Sequence, residues 1–78
     1  MIKQHEADPP FRMARGGRIT KAWTTTASGK IIPATVSING RPHRELPVAF
    51  GPGDTLAAHV SMPLAEAFYP PMIEWEEE

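Results

Sequence analysis

The chain contains no cysteine, so no disulfide can brace it. With no cysteine pair and no closely spaced histidine pair, the spacing of a structural zinc site is missing too. No apolar run approaches the ~18 residues of a membrane span. The first ten residues lack the apolar stretch of a signal peptide. The expected location is therefore cytoplasmic or within a virion, not secreted through a signal peptide and not in a membrane. Bases are missing from the second half: residues 45–78 hold seven acids and no lysine or arginine, a formal charge of −7. Residues 1–44 hold all eight bases and two acids, a formal charge of +6. Such polarity either cancels within one fold or faces different partners and joins neighbouring copies head to tail.

A chain of 78 residues allows one domain. At this size a core supplies only about 3 to 5 kcal/mol. Without disulfide or metal, the expected extra support is a partner, either copies of the chain itself or a larger host. Nine prolines and six glycines argue against long helices and for short strands joined by turns.

Along the chain, residues 1–17 read as an extended basic arm. Asp8-Pro9-Pro10 blocks helix, and Arg15-Gly16-Gly17-Arg18 is flexible and basic. Phe11 and Met13 are the only large apolar residues between Lys3 and Arg18. Residues 18–69 read as a small β domain. Arg18–Thr26 is a first strand, rich in β-favouring threonine. After the turn Ala27-Ser28-Gly29, Lys30–Ile38 alternates, with Ile32, Ala34, Val36 and Ile38 on one face. Asn39-Gly40 marks a hairpin. A strict two-residue turn would set Arg41 and His43 beside that apolar face. A three-residue loop or a bulge near Arg41-Pro42 is expected instead, which brings Leu46 opposite Ala34 and Val48 opposite Ile32. Gly51-Pro52-Gly53-Asp54 is a tight connection into a fourth strand, Thr55–Met62. Pro63–Tyr69 suits one short helix, ended by Pro70-Pro71. Residues 70–78 form a proline-bounded apolar and acidic tail.

The expected fold is mainly β: a small antiparallel sheet, sandwich or half-barrel of about four strands, with an extended N-terminal arm and one short helix near the C-terminus. Its core is Ile19, Trp23, Ile32, Val36, Ile38, Leu46, Val48, Phe50, Leu56, Val60 and Leu64. Phe68, Tyr69, Met72, Ile73 and Trp75 form a second apolar group, which covers an open sheet face or forms an interface patch.

Catalytic patterns are missing. His5, His43 and His59 match no metal spacing, and no serine has a nucleophile-elbow context. Gly51–Asp54 lacks the lysine of a phosphate loop. The expectation is a protein without catalytic residues, cofactor or metal. Its function is expected to be structural or assembly-related, such as a small bacteriophage-like capsid cement, head–tail or tail subunit. Its partners would be other protein subunits, as a homo-oligomer or larger assembly, bound through arm and tail by Phe11, Arg12, Arg15, Trp23, Phe68, Tyr69 and Trp75. A small inhibitor or adaptor bound to a host protein or nucleoprotein complex is the second reading. A small DNA-binding regulator is the third, weighed down by a pI near 6.3.

Overall fold

Gly17–Thr25 is the longest strand, and its nine residues give it room for three neighbours. The computed structural model describes residues 1–78. Its strands are β1 (Ile2–Glu6), β2 (Phe11–Arg12), β3 (Gly17–Thr25), β4 (Ile31–Pro33), β5 (Thr35–Ile38), β6 (Arg41–His43), β7 (Val48–Phe50), β8 (Thr55–His59) and β9 (Met72–Glu77). Two antiparallel sheets result, and no residue is helical. No helix is therefore long and apolar enough to cross a membrane. The first sheet runs β1-β9-β3. The far edge of β3 is shared: β4 pairs with its C-terminal half and β7 with its N-terminal half. The second sheet runs β2-β8-β5-β6.

The core lies between the sheets. Ile19, Phe50, Ile73 and Trp75 come from the first sheet, and Val36, Ile38, Leu56 and Ala58 from the second. Ala7 and Met13, in the connections around β2, complete it. Six of the eight connections between successive strands change sheet. At Ala34 the change takes one residue: Pro33 ends β4 in one sheet and Thr35 starts β5 in the other. Buried Gly17 permits the close approach of β9, because a methyl there would collide with the Glu76 carbonyl oxygen.

The β class agrees with the sequence, but several elements differ from it. The first 17 residues are not an arm. β1 pairs with β9 over five residues and β2 pairs with β8. Ala7 is fully buried, and its amide and carbonyl bond Pro71 and Ala58. The basic Arg15–Arg18 stretch is not a flexible spacer, since both of its glycines are buried. The tail is not peripheral either: β9 lies between β1 and β3, with Ile73 fully buried.

The short helix over Pro63–Tyr69 is absent. A segment that short nucleates poorly. Its backbone instead bonds the end of β3: the amide of Ala27 donates to Ala67 O at 2.8 Å and that of Tyr69 to Thr25 O at 2.9 Å. The hairpin at Asn39-Gly40 is the strict two-residue form, with Ile38 opposite Arg41 and Val36 opposite His43. Asn39 (φ 52°) and Gly40 (φ 82°) both take the left-handed conformation that this turn requires. No bulge is needed, because β6 is a three-residue edge strand whose Arg41 remains exposed. The chain then leaves the sheet, and Val48 pairs with Ile19 and Phe50 with Gly17 of β3, so Val48 does not face Ile32. Five of the expected core residues, Ile19, Val36, Ile38, Phe50 and Leu56, are buried. Val48, Trp23, Ile32, Val60 and Leu64 are half-buried, and Leu46 is exposed.

Candidate interaction surface

Alternation along β3 and β4 decides what the first sheet shows to solvent. The turn after β3, with Gly29 at φ +90°, sets Ile31 opposite Thr25 and Pro33 opposite Trp23. Ile31 is 70% exposed, and Pro33 beside it is exposed as well. Leu46, carried over by the crossing from β6 to β7, joins them. Trp23, Ile31, Pro33 and Leu46 make the apolar wall of an open groove of about 540 Å³.

The other wall is polar and internally paired. Gln4 Nε2 donates to Glu74 Oε1 at 2.8 Å, and Lys21 Nζ lies 3.9 Å from Glu74 Oε2. Thr20 Oγ1 donates to the Glu74 carbonyl at 3.2 Å. This wall is held in place by β1, β9 and β3 together.

A second apolar group adjoins the same end of the sheet. The Tyr69 amide bonds the Thr25 carbonyl from one side, while Ile31 pairs with Thr25 from the other. Thr24 Oγ1 donates to the Tyr69 carbonyl, which pins the segment. Tyr69 is 64% exposed, and with Phe68, Ala27 and Ala67 it lines a small cleft of about 190 Å³. Two exposed apolar groups thus lie near the β3–β4 end of the first sheet.

The sequence-predicted contact residues separate into three places. Trp23, Phe68 and Tyr69 belong to this end. Trp75 is 5% exposed in the core, and half-buried Phe11 lies 5.8 Å from it, ring to ring. Neither is free to meet a partner. The Trp75 indole Nε1 is buried without a hydrogen-bond partner. Arg12 lies beside Gly53, and Arg15 reaches to 3.9 Å from Glu77 at the far end of β9. Ile31, Pro33 and Leu46 were missed. The signal was present for Ile31: alternation that buries Val36 and Ile38 turns it outward.

Four of the eight bases are paired across the fold with acids of the second half. Lys3–Glu77 at 3.0 Å, Arg15–Glu77 at 3.9 Å, Arg18–Glu76 at 3.7 Å and Lys21–Glu74 at 3.9 Å all join a base of the first half to an acid of β9. The Lys3 ammonium holds the Glu77 carboxyl below its ordinary value of 4.5. Glu66 is likewise lowered, first by its bond from Ser28. The histidines lie apart: His5 stacks 4.6 Å from Phe11, His43 is half-buried beside β5, and His59 is exposed on β8. No three histidine or acidic side chains gather as a metal ion would need.

The fold and surface define a small two-sheet antiparallel β protein with exposed apolar groups near one sheet end. No family model matches the chain, and no curated protein or solved structure matches it significantly.

Proposed function

We propose that this protein is a non-enzymatic assembly subunit that docks the β3–β4 end of its first sheet on another protein subunit, as a small cement, head–tail or tail subunit of a bacteriophage-like particle would. The observation that carries this reading is Ile31, 70% exposed on a strand beside Trp23, Pro33 and Leu46. Contiguous exposed apolar surface on a small protein marks an interaction site. Aromatic residues are enriched in the cores of such sites, as Trp23 and Tyr69 would be here. Binding runs through this sheet end rather than through a free arm and tail. The inhibitor reading loses support, because Glu74, Glu76 and Glu77 face Lys21, Arg18, Lys3 and Arg15 of the same chain.

Photo-crosslinking in the cells that make the protein tests this. A photoreactive phenylalanine in place of Ile31 or Tyr69 should yield one defined protein adduct. The same group in place of Ser37, on the second sheet, should yield none. Equal adducts at all three positions, or none at Ile31 and Tyr69, would sink the proposal.

A further inference from the structure

We infer that β1 pairs with β1 of a second copy of this chain, antiparallel and centred on Gln4, so that the two first sheets become one continuous sheet across a two-fold axis. This uses the backbone edge of the sheet rather than its outer face, although the Gln4 side chain also belongs to the polar wall of the groove described above.

Of the edges in this fold, β1 is the one built to pair. It is the terminal strand of its sheet and bonds only β9. The other edges are short or blocked. β4 and β6 have three residues each and contain Pro33 and Pro42. β7 also has three residues, between Pro47 and Pro52, and β2 has two. Proline and brevity are how sheets prevent edge pairing. β1 offers five consecutive residues with neither protection. Its one lysine, the usual guard of an edge, is bound by Glu77 at 3.0 Å.

The backbone polarity fixes a register. The Met1 carbonyl accepts from the Glu77 amide, and the Ala7 amide donates to the Pro71 carbonyl. Odd-numbered residues of β1 therefore face β9. In an antiparallel strand the alternate residues, Ile2, Gln4 and Glu6, point both backbone groups to the free side. A two-fold axis that preserves the sheet faces needs a residue opposite itself. With Gln4 at the centre, Gln4 meets Gln4 and Ile2 meets Glu6 of the second copy. All three outward residues then form hydrogen-bonded pairs, six backbone bonds in all by this count. The Glu6 carbonyl already meets His5 Nδ1 at 2.6 Å and uses its second lone pair here. Centring on Lys3 instead would set two lysines opposite each other and lose Glu6. The chosen register sets Lys3 opposite His5, and it covers Ile2, which is 69% exposed in the single copy.

The chain has no cysteine, which makes the test direct. In a hydrogen-bonded antiparallel pair the Cα atoms lie about 5.5 Å apart, within the ~4.4–6.8 Å span of a disulfide. Gln4→Cys should oxidise to a covalent dimer that reducing agent returns to monomer. Ile2→Cys should not, because two Ile2 positions lie four residues apart, roughly 13 Å along the strand. Gln4→Pro removes an outward amide and the side-chain bond to Glu74, and leaves the backbone bonds to β9. It should still melt cooperatively as a folded chain, and it should abolish the doubling of mass that light scattering is expected to show for the unaltered chain at high concentration. Ile31→Lys should keep that doubling, which separates the edge from the docking face. A chain that stays monomeric at every concentration, crosslinking equal at Ile2 and Gln4, or a dimer that survives Gln4→Pro would each overturn the inference.

Discussion

The side-chain amide of Asn39 donates to Asp54 Oδ1 at 3.0 Å, which ties the β5–β6 hairpin to the connection between the sheets. Asn39 does more than occupy its turn. Its Oδ1 accepts from the Thr55 amide at 2.9 Å, and its own amide donates to Thr55 O at 2.8 Å. Asp54 in turn accepts from the Gly51 amide at 2.8 Å through Oδ2. One pair of side chains thus fixes the hairpin, the Gly51–Asp54 turn and the start of β8.

That double duty can be separated by substitution. Asn39→Gly keeps the left-handed backbone and loses the amide bonds, and should cost about 1 kcal/mol. Asn39→Ala loses both and should cost about 2 kcal/mol. Urea unfolding measures each. Equal losses would show that the φ of 52° contributes nothing, contrary to this reading.

The same bonds set an acid limit. The Gly51 amide, and after it Asn39, hold the Asp54 carboxyl below its ordinary value of 3.8. Glu77 and Glu66 lie below 4.5, through Lys3 and Ser28. A carboxyl depressed in the folded chain stabilises the fold above its unfolded value. That stability is lost as pH falls through the lower folded value. The melting temperature should thus be steady with respect to these groups above pH 5 and fall as the pH drops below the ordinary values of 4.5 and 3.8. Asp54→Asn should flatten the lower part of that fall. A melting temperature unchanged from pH 5 to pH 3 would contradict it.

The two tryptophans should behave oppositely. Trp75→Ala empties the centre of the core and should cost about 3–5 kcal/mol, or prevent folding. Trp23→Ala removes a half-buried side chain from a solvent-facing groove. It should cost less than half as much in urea and abolish the adducts formed from Ile31. Comparable destabilisation by both would mean that Trp23 is core, and the groove would lose its central aromatic.

Much of this was legible in the residues. The β class, β3 to within one residue at each end, the turn at Ala27–Gly29 and the inward alternation of Val36 and Ile38 all follow from period and turn chemistry. The illegible parts share one physical cause. Most connections change sheet, and local pattern carries no signal of which sheet receives the next strand. Val48 reads as the partner of Ile32 in a continuous Lys30–Ile38 strand because it follows the hairpin, yet it pairs with Ile19 of β3. Ile73 and Trp75 read as a second apolar group near the acidic end, covering an open sheet face or forming an interface patch. Alternation along β9 turns those two inward and leaves Glu74 and Glu76 outward, on Lys21 and Arg18.

The N-terminal segment offers the sharpest test of that account. Composition marks residues 1–17 as dispensable, with few apolar residues to join a core. In the fold their removal strips β1 from β9, leaving Ile73 and Trp75 on a strand with one edge unpaired. It strips β2 from β8 and takes Ala7 and Met13 out of the core. It also takes Lys3 and Arg15 away from Glu77. A chain of this size has only about 3–5 kcal/mol of core stability to lose. Residues 18–78 alone should therefore show no cooperative melting transition by circular dichroism. Residues 1–17 added as a separate peptide should restore one, since the missing strands have waiting edges on both sheets. A truncated chain that melts cooperatively unaided would show that the arm is an appendage and that the remaining strands suffice.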